Sequence, residues 1–399
     1  MKKLIALFLL VQLFQLPAKA EEGITFFEGS YSEALAKAKD QHKLLFIDCY
    51  TTWCGPCKWM AAHVFTNDTV SNYFNKGFVC YKMDMEKGEG IDVAKRYTVK
   101  NYPTYLWVDA GGKQVHRSVG SIPAASFMRI ATNAVSADNN MAYLEEQYTS
   151  GNKKPALLLA YAYTLRDAYN TTYETVADEY FHSQPVADLS NETNWKTIIE
   201  FTPNINSYIY STITKNPAPF NERYGKDSVQ AVLDNLALES MQFASQHKDS
   251  AMLEKSVTLL KFSKDKDIQK EAARGELDFY KRNSKMTKYT AIAPDYVTKY
   301  FWSDAKALNE ICWTYFMKVD DKVKLADAEK WIAQSVKLDD SYFNTDTYAN
   351  ILHKEGKNKE AIDMTKHSIE LAKKSNQDYA STQELLDTIL KENGTTNSK

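Results

Sequence analysis

An α/β layered domain followed by an all-α region is the architecture that this 399-residue sequence predicts. Three observations carry it. Helix-like and strand-like patterns alternate up to about residue 137, and strand signals fade after it. Near the C-terminus, apolar and small residues recur at one fixed spacing, as they do where helix pairs stack. Between a buried strand and a helix stands Thr51-Thr52-Trp53-Cys54-Gly55-Pro56-Cys57-Lys58, with two cysteines two residues apart.

The chain begins with a leader. Lys2 and Lys3 precede an apolar run from Leu4 to Leu16 that is interrupted only by glutamine. Ala18-Lys19-Ala20 then supplies the small-x-small pattern of a signal-peptidase site, so cleavage is expected after Ala20. The run is too short to span a bilayer, and no cysteine follows it to take a lipid. No later stretch is long enough for a membrane helix. The mature chain is therefore expected to be exported, to the periplasm or beyond, without stable membrane insertion.

Charge narrows the partners. The chain holds 49 Lys and Arg against 51 Asp and Glu, and Lys2, Lys3 and Lys19 leave with the leader. The mature protein is acidic, which gives no reason to expect nucleic acid as a partner. Five cysteines are too few for a disulfide-built scaffold of this length. An odd count leaves at least one thiol without an internal partner.

The elements follow in order. Ser30 to Lys43 reads as a helix and Leu44 to Tyr50 as a buried strand, after which the cysteine stretch opens a second helix. Phe78 to Met83 reads as strand, Ile91 to Tyr97 as helix and Thr104 to Val108 as strand. Gly111-Gly112 makes a hairpin turn into the strand Gln114 to Val119. Pro123 to Val135 closes as a helix, with proline suited to its first turn.

Beyond residue 137, Leu158, Tyr161, Ala162, Leu165 and Tyr169 fall at helical spacing, as do Val229, Val232, Leu233 and Leu236. Asn216 to Gly225, with Pro217 and Pro219, is expected to separate helices. Lys261 to Lys288 mixes both charge signs, as a solvated helical face does. Ala328, Trp331, Ile332, Ser335, Val336 and Leu338 are echoed by Ala361, Met364, Thr365, Ser368, Ile369 and Leu371, each 33 residues later. The segment from Thr345 to Leu371 resembles a tetratricopeptide repeat, with Ala349 at a close helix crossing, Gly356 at the turn and Ala361 opening the second packed face. Five segments result: 1–20 leader; 21–137 α/β domain; 138–300 helical, as degenerate repeats or an ordinary bundle; 301–392 repeats; 393–399 flexible tail.

The cysteine pair carries the chemistry. A cysteine attacks as thiolate, and a helix N-terminus favours that anion through free N–H groups and the helix dipole. Cys54 falls at such an N-terminus, and Cys57 follows about one turn later, close enough to bridge. Pro56 in the first turn loses no hydrogen bond. The expected chemistry is two-step exchange, in which Cys54 attacks a disulfide and Cys57 resolves the mixed intermediate. A zinc site would need four ligands. Only one such pair exists and the seven histidines are scattered, so no metal and no cofactor is expected.

Residues 23 to 136 resemble a thioredoxin-fold domain, and Trp53-Cys54-Gly55-Pro56-Cys57-Lys58 matches the thioredoxin motif. The resemblance implies several roles. Asp48, six residues before Cys54, occupies the place of a buried acid serving proton transfer for the inner cysteine. Tyr102-Pro103-Thr104 matches the loop whose cis-proline faces the active site, and Gly120 matches the glycine after the last strand. Trp53, Gly55, Pro56, Tyr102, Pro103 and Thr104 would then contact substrate, by strand-like pairing along the loop. Cys54 and Cys57 would form the redox-active disulfide. The segment from His63 to Asp84 is similar to the exported thioredoxin-like branch.

Three departures stand out. Cys80 takes the place where the family often has a lysine opposite the acid, with Lys82 two residues on. Tyr102 is bulkier than the usual aliphatic residue. Cys49 and Cys80 are additional, on opposite faces, and with Cys312 are expected to be core thiols.

Two functions fit these residues. One is an exported thiol-disulfide oxidoreductase, a protein-disulfide reductase whose Gly-Pro dipeptide resembles that of reducing members. Its partners would be exported proteins with disulfides and a membrane or exported thiol donor, and its helical repeats would bind partner or substrate. The other is a helical-repeat adaptor whose thioredoxin-like domain is mainly structural.

Overall fold

The computed structural model describes residues 23–201 and 203–396; the leader 1–20 lies outside them. The chain forms two compact units, one ending at Pro185 and one beginning at Val186. The N-terminal part is a thioredoxin-like α/β sheet domain, and a long all-helical region follows it.

Four strands build the sheet: β1 Leu44–Tyr50, β2 Phe78–Asp84, β3 Thr104–Val108 and β4 Gln114–Val119. Their order is β2-β1-β3-β4. β1 runs parallel to β2 and antiparallel to β3, and β3 pairs antiparallel with β4. The central strands β1 and β3 are buried almost throughout, which explains sequences that are apolar but for Asp48 in β1 and Thr104 at the start of β3.

Helices cover both faces. α1 Tyr31–Asp40 begins at a capping box, with Ser30 accepting from Glu33 N and Glu33 reaching back to Ser30 N. α2 Gly55–His63 and α3 Asp68–Gly77 come next, then α4 Gly90–Arg96. α5 Ala124–Val135 starts one residue later than expected, with Pro123 as its N-cap. One face joins Phe46, Cys80, Tyr105 and Trp107 of the sheet to Met60, Phe74 and Phe127 of α2, α3 and α5. The other joins Leu45, Ile47, Cys49, Val79 and Leu106 to Ala34 and Ala38 of α1 and Val93 of α4. Alternation along β1 thus sends Asp48 to the α2 face and Cys49 to the α1 face.

The strands end where the composition changes, yet the first unit continues to Pro185. α6 Met141–Thr149 and α7 Pro155–Asp167 pack against β4, and α8 Tyr173–His182 packs on α7. β4 is an edge strand, and covering it removes an open pairing surface. His116 of β4 is buried, and its Nδ1 accepts Met141 N at 3.0 Å. Tyr169 departs from its expected place on a packed helical face. α7 ends at Asp167, and Tyr169 lies beyond the cap, exposed and at φ +54°.

The second unit contains α9 Glu192–Phe201, α10 Tyr208–Lys215, α11 Ala218–Tyr224, α12 Lys226–His247, α13 Ser250–Leu260, α14 Lys266–Arg282 and α15 Met286–Tyr296. A short helix, α11, therefore occupies the stretch expected to be only a turn; its prolines fall at the start, where no N–H is missed. The unit continues with α16 Ala305–Lys318, α17 Lys322–Leu338, α18 Tyr342–Glu355, α19 Asn358–Lys374 and α20 Ala380–Thr396. The last runs into the segment expected to be a tail. α18 packs against α16, α17, α19 and α20. Residues 33 apart share environments: Ala328 and Ala361 are fully buried, as are Ser335 and Ser368. Ser335 Oγ donates to Ala305 O at 2.7 Å and Ser368 Oγ to Tyr342 O at 3.2 Å, each reaching the start of the preceding helix or its hairpin partner. Gly356 ends α18 in the left-handed conformation at φ +84°, which glycine adopts at least cost.

Candidate active site

β1 leads directly into the site. After Tyr50 the chain turns through Thr51, and Cys54 becomes the N-cap of α2. Cys54 Sγ accepts from Cys57 N at 3.1 Å, so a free N–H of the first helical turn already points at the sulfur. That N–H and the helix dipole would stabilise the Cys54 thiolate when the pair is reduced. Pro56 stands in the first turn, where it completes the helix start without breaking a bond. Cys54 and Cys57 are disulfide-bonded, with Cα atoms 5.4 Å apart. Both are sheltered, Cys54 at 2 % exposure and Cys57 at 7 %.

Asp48 lies beneath this helix on the α2 face of the sheet. It is 2 % exposed, and its Oδ1 has no hydrogen-bond partner among the described residues. Burial pushes its carboxyl up to about 7, while the Lys82 ammonium works in the opposite direction. Lys82 is Asp48's register partner on β2, so the cation beside the acid is Lys82 and not residue 80. A carboxyl poised near neutrality in a dry site can take and return a proton.

Trp53 and Tyr102 form the rim, with Pro103 buried beside them. Trp53 is 66 % exposed, and its Nε1 donates to Glu86 Oε2 at 2.9 Å. Its ring meets Tyr102 edge to face, with centroids 6.0 Å apart. The Tyr102–Pro103 peptide is cis, as the resemblance implied. The Tyr102 N–H and C=O enter no backbone hydrogen bond among the described residues, which leaves them open to an extended chain. Gly55 faces open space. Thr104 is buried, as Pro103 is, and its hydroxyl donates to Asn101 O at 2.7 Å, so it shapes the loop rather than the surface. Gly120, at φ +95°, donates its N–H to Pro103 O at 2.9 Å. Ile122 N meets Met60 Sδ at 3.2 Å, which ties this third loop to α2.

The remaining thiols are remote from exchange. Cys49 and Cys80 lie on opposite sheet faces and Cys312 is in α16; all three are unbonded and buried. Burial raises the Cys80 thiol to about 12 and pushes the Cys49 and Cys312 thiols well above the ordinary range. Such groups stay protonated and inert at neutral pH.

Residues 27–110 match the family described as thioredoxin-like. Thioredoxin-2 of Saccharomyces cerevisiae is 39 % identical over 103 residues, covering 26 % of this chain and 89 % of the yeast protein. The chain belongs to the thioredoxin family. Thioredoxin-1 of the same yeast is 40 % identical over 94 residues, covering 24 % of this chain and 84 % of its own length. A solution structure described as a putative disulphide-isomerase from Bacteroides thetaiotaomicron is 46 % identical. It covers 29 % of this chain and 96 % of that chain, with a TM-score of 0.28. This thioredoxin-family chain is a thiol-disulfide oxidoreductase whose redox pair is carried by the N-terminal domain.

Two neighbours of the site carry no motif in the sequence. Glu86 anchors Trp53 but lies in a loop without any motif. Tyr169 approaches Gly120 from the far end of α7; its signal was only a tyrosine before Asn170, at a helix end.

Proposed function

We propose that this protein is exported and exchanges disulfides in other exported proteins, mainly as a reductant. The observation that carries the proposal is the Cys54–Cys57 disulfide at the N-terminus of α2, above a buried acid poised near neutrality. In the reduced protein, the Cys54 thiolate attacks a substrate disulfide. A Cys54–substrate disulfide forms and one substrate sulfur leaves as thiolate. Asp48 takes the Cys57 proton. Cys57 then attacks Cys54 Sγ, the Cys54–Cys57 bond forms, and the second substrate sulfur departs. Two electrons pass to the substrate, so a membrane or exported thiol donor must restore the pair.

Trp53, Gly55, Pro56 and the Tyr102–Thr104 loop receive the substrate chain in this proposal. The leader at 1–20 supports export, and no described helix is long and apolar enough to cross a membrane. The matched burial of residues 33 apart and the stacking around α18 support tetratricopeptide-like repeats over 301–392, with 138–300 as a further helical part. Those repeats would hold a partner or substrate.

The test is a Cys57→Ser variant expressed with its leader. It should accumulate mixed disulfides with exported proteins through Cys54, released by thiol and absent from a Cys54→Ser, Cys57→Ser double variant. Absence of adducts in the exported fraction would sink the proposal.

A further inference from the structure

Tyr169 stands on the turn between α7 and α8, inside the first compact unit and outside the region that matches the thioredoxin-like family. It is 63 % exposed. Its hydroxyl occupies the space that a side chain at Gly120 would fill, with ring carbon Cζ 3.1 Å from where that Cβ would lie. Gly120 N in turn donates to Pro103 O, and the Tyr102 ring beside Pro103 faces Trp53. One continuous border therefore runs from Trp53 through Tyr102-Pro103 and Gly120 to Tyr169.

The backbone at Tyr169 makes the residue choice informative. Tyr169 N donates to Arg166 O at 3.0 Å and Asn170 N to Leu165 O at 2.9 Å, which closes α7 in a Schellman turn. Tyr169 holds the left-handed position of that turn, at φ +54°, where glycine is the least strained residue. Its exposed ring gains little from burial in return. The Arg129–Asp167 ion pair at 2.9 Å fixes the end of α7 to α5, and the Ile122–Met60 contact fixes the Gly120 loop to α2. The turn that carries the ring and the loop it touches are thus both tied to helices of this domain.

We propose that Tyr169 is a specificity-determining residue of this site. With Trp53 and Tyr102 it makes an aromatic wall that selects extended polypeptide segments carrying an apolar side chain next to the reacting cysteine. The open Tyr102 backbone groups pair with the segment, and the wall reads its side chain. A small disulfide is too short to touch the wall. This inference rests on the exchange chemistry proposed above.

The mature full chain, reduced, is mixed with three disulfides, and its oxidation is followed by stopped-flow tryptophan fluorescence. The probes are a peptide dimer with leucine beside the cysteine, the same dimer with glycine there, and hydroxyethyl disulfide. The wild type should prefer the leucine peptide by about tenfold in rate constant, as burial of a few apolar carbons gives. Tyr169→Gly should abolish that preference, Tyr169→Phe should keep it, and hydroxyethyl disulfide should react equally with all three proteins. Glycine suits φ +54°, so the variant is expected to fold. A leucine preference that survives Tyr169→Gly would overturn the inference, as would slowed hydroxyethyl disulfide reactivity in that variant. A wild type inert to all three probes would remove the exchange chemistry itself, which is a different failure.

Discussion

Asp48→Asn should stabilise the first domain, and by an amount that depends on pH. The carboxyl moves from an ordinary 3.8 to about 7 on burial. A group whose folded value is raised binds more protons in the folded state, so its contribution is full below about 3.8 and is lost as pH rises through 7. Above pH 7 the fold must hold a buried carboxylate that Lys82 only partly compensates. At about 1.4 kcal/mol per pH unit, that burden is about 4 kcal/mol at pH 9 and less than half as much at pH 5. Asparagine has nearly the same shape and no charge, so the variant should recover most of it. The assay is amide exchange of the β1 peptide, residues 44–50, at pH 5 and pH 9. The α16 peptide, in the other compact unit, serves as internal control. β1 should be protected more strongly in the variant at pH 9, with a smaller gain at pH 5 and no change in α16. Equal gains at both pH values, or weaker protection at pH 9, would mean that Asp48 is not a destabilising buried carboxylate.

The other predictions concern neighbouring groups. Burial lowers His116 to about 3, with Arg129 adding to the effect, so the unfolded chain binds more protons between about 3 and 6.5 and stability rises with pH there, opposite in sign to Asp48. His116→Gln should expose the Asp48 slope, measured as β1 protection falling from pH 4 to about pH 7 and levelling above it. Gly120→Ala should cost about 1–2 kcal/mol, through φ +95° and the overlap with the Tyr169 hydroxyl. In a Tyr169→Gly background only the backbone part of that cost should remain, a coupling that a double-mutant cycle of thermal midpoints reads.

Much of this domain was legible in the sequence for definite reasons. The runs Leu44–Tyr50 and Thr104–Val108 are central strands buried on both faces, so their largely apolar character marked their limits. Cys54, Pro56 and Cys57 could be placed because a helix N-terminus tolerates proline and favours an anion. Alternation along β1 separated Asp48 from Cys49, and the strand pairing implied by the resemblance put Cys80 of β2 on the Asp48 side; the two cores hold Cys80 and Cys49 on opposite faces.

What was not legible depends on contacts distant in sequence. α3, Asp68–Gly77, begins at an Asn67 cap, but its apolar face is short, with Val70 and Phe74 buried and Tyr73 partly so. α6 and α7 read as any helices do; only the edge of β4 and the neutral His116 show that they belong to the first unit. Tyr169 continued the helical spacing of α7, and the spacing says nothing of a left-handed turn that ends the helix two residues earlier. Thr104 belonged to the expected loop motif, yet its hydroxyl turns inward to Asn101.

The thiol state of the chain without residues 1–20, followed across graded glutathione buffers by mass-tagged alkylation and peptide mass spectrometry, decides whether the cysteine pair works as a redox centre. One reversible two-electron couple confined to Cys54 and Cys57 is expected, with a midpoint nearer the about −270 mV of a reducing thioredoxin than the about −120 mV of a strong oxidant. Cys49, Cys80 and Cys312 should remain unlabelled thiols in the folded protein throughout. A pair locked in one state over the whole range, or tagging at the buried cysteines instead, would contradict that role.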